Sequence, residues 1–150
     1  MADIFSAEKR SAVMRSIRSK DTKPEMRIRS ALHRLGFRYT LHDKSLPGSP
    51  DLVLSKYRSV IQVRGCFWHG HTCRSGHIPK SNQSYWSPKL LKNVSRDRQN
   101  DASLRRLGYS VIVVWECECT EKKLDGTVAS VVRRLRRRLT CKRESKSHLM

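Results

Sequence analysis

The chain is 150 residues long, with 37% hydrophobic and 30% charged residues, which suits one domain with a real core and excludes global disorder or a second domain of ordinary size. Lysine and arginine number 32 against 13 acidic residues, a net charge of +19 that a compact domain tolerates best beside a polyanion. Nucleic acid is therefore the leading partner class and an anionic membrane surface the second. No apolar run reaches the ~20 residues of a membrane-spanning helix. The N-terminus lacks the apolar stretch of a secretory signal, so a cytoplasmic protein is expected. Five cysteines, an odd number clustered with histidines, point to metal rather than to a disulfide framework.

Residues 1–20 read as a basic amphipathic helix. Ser6 can cap it, Val13, Met14 and Ile17 form an apolar stripe, and Arg10, Arg15 and Arg18 surround that stripe. Such a stripe ordinarily packs on a core; laid on DNA, the helix would instead offer Met14 as a wedge between bases. Thr22-Lys23-Pro24-Glu25 predicts a second helix start, with Thr22 as N-cap, Pro24 in the first turn and Glu25 at the capping-box position. Ile28, Ala31, Leu32 and Leu35 line one face, and Gly36 stops the helix. Residues 37–41 alternate as a strand. Leu46-Pro47-Gly48-Ser49-Pro50 is a turn, Asp51 follows, and Leu52-Val53-Leu54 makes a short buried strand that pairs with 59–63 as a hairpin.

Residues 65–82 read as loop. Ser87-Pro88 predicts the start of a long helix, with Leu90, Leu91, Val94, Leu104 and Leu107 marking its buried side and Gly108 its end. The apolar run 111–115 is of strand type and is expected in the middle of the sheet. Val128, Val131, Val132 and Leu135 stripe a last helix, and residues 140–150 read as a frayed basic tail. This order predicts an α/β fold, a mixed sheet flanked by helices.

Two constellations carry chemistry. Cys66, His69, His71 and Cys73 fall within eight positions, with Cys117 and Cys119 far downstream. A structural Zn²⁺ takes four thiolate or imidazole ligands in a tetrahedron. Cys66, His71 and Cys73 can converge from one loop, and Cys117 or Cys119 can close the site. Both lie on the same side of a continuing strand, so periodicity does not choose between them. Buried cysteines without metal are the ordinary alternative. His69 is then left over as a spare ligand, an exposed loop residue or a general base, and an imidazole with an unperturbed pKa of ~6.5 suits the last role.

The second constellation is acidic. Pro50-Asp51 at a strand start, followed across the hairpin by Gln62-x-Arg64, fits the nuclease pattern PD…(D/E)xK. That chemistry needs a carboxylate for Mg²⁺, a second oxygen ligand and a cation near the scissile phosphate. Gln62 is a weaker ligand than Glu, and Arg64 stands in the place of Lys. A Pro-Asp turn before a strand is also common without any such role.

Further matches extend in order over residues 10–120: Met14-Arg15, Asp21-Thr22 with Glu25, Leu46-Pro47-Gly48-x-Pro50-Asp51, and Gly65-Cys66-Phe67-Trp68-His69-x-His71-x-Cys73. Beyond them come Trp86, Lys89, Lys92-Asn93-Val94-x-Arg96-Asp97, Leu107-Gly108 and Trp115-Glu116-Cys117. With these motifs the chain resembles the very short patch repair (Vsr) endonucleases of bacteria. The resemblance implies a restriction-endonuclease-like fold with a structural zinc. It also implies Mg²⁺-dependent nicking of duplex DNA on the 5′ side of the T in a T:G mismatch, the lesion left when 5-methylcytosine deaminates.

By the same resemblance, Asp51 and the backbone carbonyl of Val63 would bind Mg²⁺, His69 would activate the attacking water, and Glu25 would help order metal-bound water. Asp97 would support His69, and zinc would take Cys66, His71, Cys73 and Cys117. Phe67, Trp68 and Trp86 would form a wedge beside the mismatch, with Met14 entering from the N-terminal helix. Lys89 and Asn93, four apart on one helix face, would reach the displaced edges of the pair. Residues 21–139 would form the endonuclease domain, between an N-terminal DNA-contacting arm (1–20) and the basic tail.

The implied partner is duplex DNA bound by a monomer in the bacterial nucleoid, with mismatch-repair proteins as further candidates and no membrane. The chain departs from the family at Val63-Arg64, where the family carries Thr-His. An Arg64 guanidinium would stabilise developing phosphorane charge, but it cannot act as an acid near neutral pH. The rival readings are a non-catalytic zinc-containing DNA-binding module and a related nuclease that cuts paired DNA at a sequence.

Overall fold

The structure is a computed structural model that describes residues 20–76 and 83–147; the expected arm, with Met14, lies outside them. The first helix, α1, spans Lys23–Arg34 and starts as its cap signals dictate, with the Thr22 hydroxyl accepting the Glu25 N–H at 3.4 Å. Gly36 ends it in a left-handed conformation (φ +92°). The Gly36 N–H bonds the His33 carbonyl and the Phe37 N–H bonds the Leu32 carbonyl, both at 3.0 Å, the double closure of a Schellman motif. Phe37 is thereby committed to the helix end, buried against Tyr57 with ring centroids 5.5 Å apart. The strand expected over 37–41 shortens accordingly to β1, Thr40–Leu41.

Two further strands, β2 (Leu52–Leu54) and β3 (Ser59–Arg64), form the expected hairpin, with Leu52 opposite Ile61 and Val53 opposite Val60. β1 pairs antiparallel with the other edge of β2. A long helix, α2 (Gln83–Arg106), crosses over to β4 (Ser110–Trp115), which runs parallel to β3. The sheet order is β1-β2-β3-β4. The last helix, α3, spans Leu124–Ser147.

Alternation sorts the strand residues between two layers. Leu52, Leu54, Ile61, Ile112 and Val114 face α1 and α3, where they meet Ile28, Leu32, Val128, Val131, Val132 and Leu135. Val53, Val60 and Val111 face α2 and meet Leu104. Arg64 shares the parity of Val60 and so points to the α2 side.

Several expectations are corrected. β4 is an edge strand among the described residues, not a central one. Its apolar run is explained by helices on both faces, and Arg134 of α3 donates to the Val111 carbonyl at 3.3 Å. Pro88 sits inside α2 rather than at its start. There it forfeits only the bond to the carbonyl of Ser84, an exposed residue that water can serve. Leu91 and Leu107 are 70% and 51% exposed, because Leu91 is turned away from buried Leu90 and Leu107 lies past the helix end. α3 continues to Ser147, into the stretch expected to fray. No helix among the described residues is long and apolar enough to cross a membrane.

The contrast between buried and exposed leucines is testable. Leu32→Ala should cost about 2–5 kcal/mol in urea unfolding, whereas Leu91→Ala should stay within about 0.5 kcal/mol of the parent.

Candidate active site and metal centre

Asp51 stands just ahead of β2, and its Oδ2 accepts the Val63 N–H across the hairpin at 2.7 Å. Burial pushes its carboxyl up from 3.8 to about 6; the Val63 N–H opposes that rise, the Glu25 charge adds to it, and His42 and His69 offset it in part. Glu25 is buried at 1% exposure. Its Oε2 accepts the Asp21 N–H at 2.9 Å, one residue before the N-cap, and its Oε1 lies 2.6 Å from His42 Nε2. The capping position thus serves the helix start and the site at once. His42 Nε2 is also 3.8 Å from Asp51 Oδ1, so this imidazole bridges the two carboxylates. Asp21, Glu25 and His42 come close enough to hold a cation. Arg29 already fills that role, with Nη1 2.6 Å from Asp21 and 3.7 Å from Glu25.

His69 Nδ1 lies 2.6 Å from Asp97 Oδ2 on α2. With the proton on Nδ1, this contact leaves Nε2 as a bare acceptor. Arg64 is buried, with Nη2 donating to Asp101 Oδ1 at 2.7 Å and Nε 3.9 Å from Asp97 Oδ2. The guanidinium expected at the phosphate therefore lies against two aspartates of α2, one helical turn apart.

Cys66, His71, Cys73 and Cys117 converge, with their ligand atoms all within 4.8 Å of one another. A short turn over Glu116–Glu118 follows β4 and brings Cys117 to the loop. Cys119, the rival fourth ligand, is buried in the core with its thiol donating to the Trp115 carbonyl at 3.5 Å. His71 stacks on Trp115 at a centroid distance of 4.2 Å and 15° between planes, with Nδ1 3.6 Å from Cys117 Sγ. A Cβ at Gly76 would lie 1.9 Å from the His71 carbonyl oxygen, so only glycine lets the loop close this tightly. Burial, reinforced by the neighbouring sulfurs, pushes the Cys66 thiol up to about 12, and burial likewise raises Cys117. Three crowded sulfurs and an imidazole suit Zn²⁺, whose charge would hold the sulfurs as thiolates.

The aromatics cluster beside this loop. Ring centroids are 5.0 Å apart for Phe67–Trp68, 5.2 Å for Phe67–Trp86 and 5.9 Å for Trp68–Trp86. Trp86 is buried, and its indole N–H has no hydrogen-bond partner among the described residues. Lys89 Nζ lies 5.6 Å over the Trp68 ring, and Asn93 Nδ2 donates to the Trp68 carbonyl at 3.1 Å. Both positions on the helix face thus converge on one tryptophan.

Two residues escaped the sequence reading. His42 carries no motif, and only the fold brings it between Glu25 and Asp51. Asp101 could have been found, because its i, i+4 spacing from Asp97 puts both carboxylates on one helix face.

A mixed sheet with an Asp97–His69 pair, a half-buried Asp51 and a zinc-type ligand cluster suits an α/β nuclease. The family model for DNA mismatch endonuclease Vsr matches residues 2–75. Similar proteins include the type II nicking enzyme V.NmeAIP of Neisseria meningitidis, 52% identical over 83% of this chain and 89% of the relative. The type II nicking enzyme V.XorIIP of Xanthomonas oryzae is 50% identical over 81% and 89%, respectively. The DNA mismatch endonuclease Vsr of Escherichia coli is 44% identical over 78% and 75%. The chain belongs to the Vsr DNA mismatch endonuclease family, a family of DNA-nicking hydrolases.

Two outcomes follow from this geometry. Cys117→Ser should lower zinc content measured by atomic emission, while Cys119→Ala should keep it and lose only core stability. The second concerns Asp51. Its raised pKa stabilises the fold fully below 3.8, and that contribution is lost as pH rises through about 6. Asp51→Asn should therefore stabilise the metal-free protein by about 2 kcal/mol near pH 7, with the gain vanishing toward pH 4 in thermal melts.

Proposed function

We propose that the protein nicks duplex DNA on the 5′ side of the T in a T:G mismatch, in repair of deaminated 5-methylcytosine. The observation that carries this reading is the 2.6 Å contact of His69 with Asp97 in a chain that also sets a half-buried Asp51 just ahead of β2. The Escherichia coli relative, a DNA mismatch endonuclease, supports the substrate.

In this reading His69 Nε2 accepts the proton of the attacking water, and Asp97 stabilises the imidazolium that results. Asp51 and the Val63 carbonyl would hold Mg²⁺. Their donors are all oxygen, and the half-buried Asp51 carboxyl is incompletely compensated by its neighbours, which suits a small hard cation. When bound, the ion supplies Lewis-acid stabilisation of charge developing on the phosphate. Glu25 acts through His42, orienting the imidazole that faces Asp51.

Phe67, Trp68 and Trp86 supply the wedge. In the free protein they pack edge-to-face on one another, so their insertion would exchange these edge contacts for base stacking. The exchange costs least where the duplex is already weak, at a mismatch. Lys89 and Asn93 would transfer from Trp68 to the displaced base edges. Met14 would join from the N-terminal segment, and zinc would be structural.

The test is nicking of end-labelled duplexes that differ only in one T:G or C:G pair, with Mg²⁺ or EDTA. A Mg²⁺-dependent nick confined to the T:G duplex is expected, and Asp51→Ala should abolish it while mismatch binding persists. Equal cutting of the paired duplex would replace this reading with a sequence-specific nuclease. Binding without a nick would replace it with a non-catalytic module.

A further inference from the structure

We propose that Arg64 is a positioning residue. Clamped by Asp101, its guanidinium holds Asp97 in place to accept the Nδ1 proton of His69, so that Nε2 is presented bare. The catalytic consequence of this clamp rests on the proposed nicking function; the clamp itself does not.

Strand parity sets the geometry. Arg64 shares the α2-facing side of β3 with Val60, and Asp97 and Asp101 are one turn apart on α2. The fold therefore places a guanidinium between two carboxylates. Its strong contact is with Asp101, at 2.7 Å, with both side chains only 11% exposed. That pair is desolvated, and its geometry leaves Arg64 little freedom. Its Nε then lies 3.9 Å from Asp97 Oδ2, the same oxygen that meets His69 Nδ1 at 2.6 Å.

Asp97 Oδ2 is thus flanked by Arg64 on one side and His69 on the other. The Arg64 charge favours a carboxylate that accepts from His69 rather than one that donates to it. A carboxylate acceptor selects the Nδ1–H tautomer.

A direct role on the phosphate fits less well. Arg64 is 9% exposed. Reaching a phosphate would mean leaving Asp101 as an uncompensated buried charge. A guanidinium buried at this depth needs a counter-charge, and Asp101 provides one.

The test uses the full-length, zinc-loaded protein. Removing either partner alone strands a buried charge and endangers the fold, so the main variant is the double substitution Arg64→Met with Asp101→Leu, which replaces the ion pair by apolar contacts. Zinc content and melting confirm folding. Two readouts follow: single-turnover nicking with Kd for the T:G duplex, and the His69 tautomer from ¹⁵N-detected imidazole NMR of the free protein.

The parent should show the Nδ1–H tautomer. The double variant should show a mixture, nick about 10- to 100-fold more slowly, and keep its Kd. Arg64→Lys should recover part of the rate. A folded double variant with the parental tautomer overturns the clamp. Weakened duplex binding with an unchanged rate overturns it also, in favour of a phosphate contact. If the parent nicks no T:G duplex, the functional reading fails while the tautomer comparison still decides whether Arg64 positions His69.

Discussion

Parallel pairing of β3 with β4 runs in register from Ser59 opposite Ser110 to Arg64 opposite Trp115, and both strands therefore leave the sheet at the same end. Within two residues of that end the chain places Cys66 on one side and Cys117 on the other, close enough to share an ion. Parallel strands cannot be joined by a tight turn; they need a crossover, and here α2 provides it. The crossover is also the source of Lys89, Asn93, Asp97 and Asp101. A slip of one residue between β3 and β4 would turn Ile61 and Val63 toward α2 and Arg64 into the opposite core. The apolar alternation along the two strands therefore secures the register on which the metal cluster and the acidic site both depend.

The charges follow a second constraint. A chain of net charge +19 has few acids to spend, and several of them gather at this end of the sheet, each against a cation or an imidazole. Glu25 has His42 and Arg29, Asp97 has His69 and Arg64, and Asp101 has Arg64. Asp51 is the least compensated, with a backbone N–H at 2.7 Å and His42 at 3.8 Å. Its raised pKa expresses that shortfall. The same shortfall makes it the carboxylate that gains most from a cation, so the electrostatic cost borne by the free fold and the proposed affinity for Mg²⁺ have one origin.

What was legible in the sequence was local. The Thr22 cap, the Gly36 stop, the 52–54 and 59–63 hairpin and the stripe of α3 rest on interactions a few residues apart, and they hold in the structure. The Cys/His quartet was legible because zinc chemistry restricts ligand types. Periodicity does not choose between Cys117 and Cys119, since the choice depends on a turn after Trp115 that ends the strand's alternation; the resemblance at Trp115-Glu116-Cys117 points to Cys117, which the structure places in the cluster. The edge position of β4 escaped for a similar reason: an apolar run reports burial on two faces, and helices can supply that as well as strands. Pro88 misled because proline's preference for helix starts is weaker than the packing that extends α2 back past Trp86. His42 was invisible, since a positive-φ loop histidine acquires its meaning only when β1 and β2 pair and bring it to Asp51.

The loop between Cys66 and Cys73 joins the two halves of the site. Its ends are ligands of the proposed zinc, and between them lie Phe67, Trp68 and His69 in sequence. Two of these residues belong to the aromatic cluster and the third to the Asp97 pair. Three successive side chains on an irregular loop would ordinarily be poorly fixed, because a loop of this length has few backbone bonds of its own. Here the His69 N–H bonds the Gly65 carbonyl and the His71 N–H bonds the Cys66 carbonyl, at 3.2 and 3.0 Å. α2 fixes the side chains from the other side, through Asn93 on the Trp68 carbonyl and Asp97 on the His69 ring. The Cys/His cluster gathers the ends and the crossover helix holds the middle, so the proposed wedge and the proposed base rest on the same two supports. In the proposed reaction, displacing Trp68 into DNA would therefore act on the backbone that carries His69, which would couple mismatch opening mechanically to the proposed proton acceptor.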